Sequence, residues 1–106
     1  MMAPEGDGFH FFDAIGDETR RKIVELLFNN EMHVNELTSH VYASRPSVSY
    51  HLRILREANV VVPRKRSTKT FYSVNPEVIQ NMCQNYMDKY CGIKKSKKES
   101  KEESVN

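Results

Sequence analysis

The chain of 106 residues lacks the features that mark membrane, secreted and disulfide-rich proteins. Its longest stretches without a charge, such as Val78 to Met87, fall far short of the ~20 apolar residues that a membrane helix needs. The N-terminus has neither the basic nor the apolar region of a signal peptide, so we expect a cytoplasmic protein without membrane partners. The two cysteines, Cys83 and Cys91, are too few for a disulfide framework and too widely spaced for a Cys-x-x-Cys motif.

Features typical of an enzyme are also missing. The sequence has no nucleophile, base and orienting group at related spacings, no glycine loop that could hold a phosphate, and no carboxylate pair in an apolar setting. We therefore expect no enzymatic activity, no catalytic residue and no cofactor. The sequence identifies no small-molecule ligand.

Charge is nearly balanced overall but uneven along the chain. Sixteen basic and 14 acidic residues leave a net charge of +2, which by itself neither favours nor excludes nucleic acid. The basic residues cluster at 64–69 and 94–98, whereas acids collect before residue 40 and at the end. The length suits one small domain. We expect a flexible arm over 1–8, a domain over 9–92 and a disordered charged tail over 93–106.

Hydrophobic periodicity predicts four helices in the first half of the chain. The first has apolar residues at Phe9, Phe12 and Ile15, with Phe11 adjacent, and ends at Gly16. Asp17 is the expected N-cap of the second helix, with Ile23, Leu26 and Leu27 as its buried stripe. A short third helix carries Val34, Leu37 and Val41. Ser44 is the expected N-cap of a fourth helix, which has Pro46 in its first turn and buries Val48, Leu52 and Leu55.

A hairpin and a last helix follow. The β-branched run at 60–62, which ends at Pro63, and the run at 70–74 predict two strands, joined by a basic loop from Arg64 to Lys69. A last helix starting at Pro76 carries one apolar stripe, which extends to Ile93. The order predicts a mostly α fold with a small β-hairpin, the winged helix-turn-helix, arranged α-α-α-α-β-β-α.

In such a fold the fourth helix enters the major groove of DNA, and the wing reaches the phosphates or the minor groove. The expected DNA-binding side chains on the helix are Arg45, Ser47, Ser49, Tyr50 and Arg53, and those on the wing are Arg64, Lys65, Arg66 and Lys69. The helix face could instead be merely solvated. The wing cations could serve only to keep an edge strand soluble.

These segments resemble the ArsR-type transcriptional repressors, which are dimeric winged-helix proteins that bind operator DNA. The resemblance covers about residues 9 to 91. It is carried by Phe12–Arg20 leading into Ile23–Leu27, by Val34–Leu37, by Ser44–Leu52 with Leu55–Ala58, and by Phe71–Pro76. It implies that Arg45, Ser47, Ser49 and Tyr50 contact bases or phosphates. His51 could orient the helix, meet a phosphate or contact a base.

The resemblance also bears on metal sensing. Where many members have a Cys-x-Cys, this chain has His33 and Asn35, a poor site for a soft metal. The last helix has no histidine, so the zinc site that other members build there is missing as well. We therefore expect no metal site. His10, His33 and His40 are scattered, as surface or capping histidines are.

In the resembled family the first and last helices pair across a two-fold axis, which implies a homodimer. The side chains expected at the dimer interface are Phe9, Phe11, Phe12, Ile79, Met82, Cys83, Tyr86 and Tyr90. Cys83 and Cys91 are either buried apolar fillers or form a bond between subunits. The alternative to a DNA-binding repressor is a winged-helix adaptor that binds protein through the same surfaces.

Overall fold

The computed structural model describes residues 10–91, which fall into two compact units, one ending at Pro76 and the other starting at Glu77. The predicted arm and tail lie outside the described residues, as do Phe9 and Ile93. Within the described part, no helix is long and apolar enough to cross a bilayer.

Two helices open the first unit. The described part of α1 is residues 10–14, and α2 is Glu18–Asn29. As predicted, Asp17 caps α2, since its carboxylate accepts from the backbone N–H of Arg20 at 3.0 Å. Of the apolar side chains in the first predicted helix, Phe11 is buried, as is Ala14, whereas Phe12 is exposed and Ile15 is half-buried.

The predicted stripe of α2 was only partly right. Its fully buried residues are Ile23, Val24 and Leu27, whereas Leu26 is half-buried.

The next two helices form the helix-turn-helix. The third, α3 (Val34–Thr38), is shorter than expected and fully buries only Leu37. The fourth, α4 (Arg45–Glu57), buries Val48, Leu52 and Leu55, as the periodicity predicted. The Ser44 hydroxyl caps it by accepting from the N–H of Ser47 at 3.3 Å. Because α4 packs against α2, α3 and the sheet, its outward face is held in a fixed orientation.

The sheet has three antiparallel strands in the order β1-β3-β2. They are β1 (Met32–His33), which the sequence did not predict, β2 (Val61–Arg66) and β3 (Lys69–Val74). The predicted basic loop was wrong, because its cations lie in the strands and the turn is only two residues long, with Ser67 at φ 61°.

Pro63 was expected to end the first strand, but it lies inside β2, opposite Tyr72. An edge strand tolerates proline because its outer N–H groups have no ladder partner.

The second unit consists of α5 (Pro76–Tyr86) and a π-helical turn, Met87–Cys91. The first residue of α5, Pro76, still belongs to the first unit. The start at Pro76 agrees with the prediction, whereas the end differs, since regular α-helix stops at Tyr86. No residue of α5 is buried. The overall prediction of a mostly helical winged helix-turn-helix with a small sheet is confirmed.

Candidate nucleic-acid interface

The outward face of α4 is polar and open to solvent. Arg45, Ser49, Tyr50 and Arg53 are exposed, and they alternate along the helix with the three buried apolar positions. Ser47 is half-buried, and its N–H is used by the cap. The face can therefore offer a guanidinium at each end, with a small hydroxyl and an aromatic ring between them.

Local contacts of Arg53 leave its side chain on the surface. The guanidinium carbon lies 5.4 Å from the centre of the Tyr50 ring, and Nη1 lies 3.7 Å from Oε2 of Glu57. Arg53 and Glu57 are more than half exposed, at 54% and 61%. An exposed pair with this spacing contributes only ~0.3–0.5 kcal/mol, so it does not prevent Arg53 from reaching a ligand.

His51 points away from this face and contacts α2. Its Nδ1 lies 3.1 Å from Nη1 of Arg20, and its side chain is half-buried. A guanidinium has only donors, so Nδ1 must accept this hydrogen bond. The interaction ties α4 to α2.

The same guanidinium also binds the end of α1. Nε of Arg20 donates to the carbonyl of Ala14 at 2.6 Å, and Nη2 lies 3.5 Å from the carbonyl of Asp13. Nη1 of Arg21 donates to the carbonyl of Ile15 at 2.8 Å. The last carbonyls of a helix have no partner within it, and cations suit this negative end. Arg20 thus joins α1, α2 and α4.

Asp17, at the start of α2, has a lowered pKa. The main cause is the hydrogen bond from the Arg20 N–H, to which the nearby positive charge of Arg20 adds, while partial burial acts in the opposite direction. The carboxylate is therefore held in its charged form, which favours the positive N-terminal end of α2.

The wing carries four exposed cations on two faces. Arg64 and Arg66 are two positions apart in β2, so they lie on the same face, and Lys69 stands opposite Arg66. Lys65 lies on the other face. Both arginines pair with Glu31: Arg66 Nη2 donates to Oε1, and Arg64 Nε lies 3.8 Å from Oε2. Within residues 10–91, neither lysine has an ion-pair partner.

The Phe71 ring of β3 packs against the Arg66 guanidinium. The guanidinium carbon of Arg66 lies 4.4 Å from the centre of the ring, and the His33 ring meets it edge-on at 5.3 Å. Such cation-π contacts fix the direction of a guanidinium. His33 is thereby occupied in packing and in the capping of α3, where its N–H donates to Glu36 at 3.0 Å.

The residues predicted for the dimer interface differ in their exposure. Phe12, Cys83, Tyr86 and Tyr90 are exposed, and Ile79 and Met82 are half-buried. The assignment of Phe11 was wrong, because it is only 1% exposed within the chain and cannot reach a partner. The placement of Phe9 lies outside the described residues. The side chain of Cys91 also lies outside them.

Two residues that matter for the site, Arg20 and Glu31, were not assigned a role from the sequence. Arg20 is 31 positions from His51, and Glu31 is 35 positions from Arg66. No periodicity relates residues so far apart. The short β1 strand, which the sequence did not predict, brings Glu31 next to the hairpin.

No group of three or more His, Cys, Asp or Glu side chains that could hold a metal occurs among residues 10–91.

Comparison with known proteins identifies relatives of the chain. A family model described as bacterial regulatory protein, arsR family, matches residues 17–62. The transcriptional repressor SdpR of Bacillus subtilis is 38% identical over 81 residues, which are 74% of this chain and 90% of SdpR. The HTH-type transcriptional regulator Rv2034 of Mycobacterium tuberculosis is 40% identical over 61% of each chain.

A solved ArsR-like transcriptional regulator from Rhodococcus sp. RHA1 is similar in fold. It has a TM-score of 0.78 over 95% of both chains, at 18% identity.

Proposed function

This chain belongs to the arsR family of bacterial regulatory proteins, and from that premise we propose that it is a homodimeric repressor that binds a partly palindromic operator in double-stranded DNA. The family and its relatives are transcriptional regulators, which confirms that the chain is not an enzyme. We infer repression because the relative SdpR is a transcriptional repressor. We infer a cytoplasmic location because a bacterial regulator must reach the DNA that it binds.

The observation that carries the proposal is the outward face of α4. A helix with Val48, Leu52 and Leu55 fully buried on one side holds Arg45, Tyr50 and Arg53 exposed on the other. Packed in this way, α4 fits the major groove, where a guanidinium can donate two hydrogen bonds to guanine. Ser49 permits close approach, and the Tyr50 ring suits a thymine methyl.

We assign His51 and the half-buried Ser47 to supporting roles in this complex. Because its Nδ1 is engaged by Arg20, His51 acts by orienting α4 rather than by touching DNA. The wing cations Lys65 and Lys69 supply phosphate contacts from exposed positions.

The proposed dimer rests on exposed apolar side chains in each unit. In the first unit, Phe12 is 38% exposed, and in the second Tyr86, Met87 and Tyr90 are exposed. A domain of this size gains stability by covering such groups with a second copy. In the dimer the two α4 helices would lie about 34 Å apart, one turn of DNA, and the two-fold symmetry predicts a partly palindromic site.

A labelled-duplex titration at several salt concentrations tests the proposal. We expect the logarithm of affinity to fall by about 0.9 for each phosphate contact per tenfold increase in salt. Undetectable or salt-insensitive binding to every duplex would contradict the proposal and favour a winged-helix adaptor that binds protein. Sedimentation of the free protein tests the dimer.

A further inference from the structure

Glu31 lies beside the basic wing in a position to compete with DNA for it. The side chain is only 23% exposed, and its carboxylate faces Arg64 and Arg66. Oε2 is shielded from solvent and receives no hydrogen bond from residues 10–91, so the Arg64 guanidinium at 3.8 Å is its main compensation. A shielded carboxylate holds nearby cations more firmly than an exposed one does.

The strand geometry directs both arginines toward this carboxylate. Residues 64 and 66 project from the same face of β2, and Phe71, opposite Arg64, carries the Arg66 guanidinium on its ring. Each arginine therefore has a partner within the chain before any ligand arrives. Lys65, on the opposite face, has none among residues 10–91.

We propose that Glu31 sets the strength with which the wing binds DNA, by retaining Arg64 and Arg66 so that their charges contribute little to phosphate contacts. A phosphate that engages either arginine must displace Glu31 and then lies close to its negative charge. Because phosphate contacts carry no sequence information, this restraint lowers binding to all DNA and leaves discrimination to α4. The inference rests on the proposed function.

The test compares Glu31→Gln with a matched control, Glu25→Gln. Glu25 is exposed on α2 and has no ion-pair partner within residues 10–91, so this variant makes the same change in net charge. Affinities for an operator duplex and for an unrelated duplex are measured across a salt series. Thermal unfolding of each variant confirms that it is folded.

We expect Glu31→Gln to bind both duplexes at least roughly fivefold more tightly, because Arg64 and Arg66 no longer have to break an ion pair before they contact phosphates. The salt dependence should steepen by up to about 1.8 in the log–log slope, for two new phosphate contacts. Glu25→Gln should change affinity less than about twofold, without a change in slope.

A second variant keeps the test decisive if Glu31→Gln folds poorly. Arg66→Gln alone should weaken binding by less than about twofold, because that arginine is already paired with Glu31. If Glu31→Gln does fold, adding Arg66→Gln to it should remove much of the gained affinity.

Weaker binding by Glu31→Gln, a gain no larger than that of Glu25→Gln, or a large loss from Arg66→Gln alone would overturn the proposal. If the unaltered protein bound no duplex at all, both the proposed DNA-binding function and the role of Glu31 would be refuted.

Discussion

Replacement of Arg20 by alanine should destabilise the domain far more than the same change at its neighbour Arg21. Arg20 donates to the carbonyl of Ala14, a residue that is 0% exposed, and binds His51 on α4. The Arg21 side chain donates an exposed hydrogen bond to the carbonyl of Ile15. The two variants make the same change in net charge, so their difference isolates the contacts of Arg20.

The magnitude follows from the groups left behind. A buried carbonyl without a partner costs about 1–3 kcal/mol, and a lost hydrogen bond from a charged donor to His51 costs about 1.5 kcal/mol. We therefore expect Arg20→Ala to lower the free energy of unfolding by about 3 kcal/mol. Arg21→Ala should lower it by less than about 1 kcal/mol. In a domain of this size the former corresponds to a Tm decrease of more than about 10 °C.

Urea unfolding followed by far-UV circular dichroism is the suitable assay, because the chain has no tryptophan. A cycle that combines Arg20→Ala with His51→Ala should give a coupling energy of about 0.5 kcal/mol or more. If Arg20→Ala were no more destabilising than Arg21→Ala, Arg20 would not join the helices as described.

Three further predictions concern the groove-facing helix, the α2 cap and metals. Arg53→Ala should cost about 1–3 kcal/mol of operator binding while leaving Tm nearly unchanged, as titration and melting will show; a large stability loss would mean that the side chain packs inward. Asp17→Ala should lower the free energy of unfolding by about 1 kcal/mol at neutral pH, relative to the unaltered protein. Because the pKa of Asp17 is lowered in the folded state, this difference should shrink as pH falls through that pKa, and unfolding curves in which it persisted in acid would contradict this reasoning. Zinc or arsenite should leave DNA affinity unchanged, since residues 10–91 hold no metal-ligand cluster; metal-dependent release in a titration would refute this.

Local sequence signals predicted the helix-turn-helix well. The caps at Asp17 and Ser44 and the buried stripe of α4 were all correct, because they depend on residues within one or two turns of each other. For α1, the periodicity did not show which side chain is buried. Its adjacent phenylalanines fit more than one helical face, and only the tertiary packing selects Phe11 for the core.

The wing was harder to predict because pairing, rather than composition, decides where strands end. Pro63 and four nearby cations resemble a loop in isolation, yet the register with β3 keeps all of them in strands. The four cations, which are alike in the sequence, separate into two arginines that pair with Glu31 and two lysines that form no ion pair within residues 10–91.

Selection of bound sequences from a random duplex pool tests the central claim most directly. If the protein is a dimer that inserts α4 of each copy into the major groove, the selected duplexes should share a partly palindromic consensus. Its half-sites should lie about one helical turn apart. Selection that enriches no consensus, or only an asymmetric single site, would contradict sequence-specific binding by a symmetric dimer.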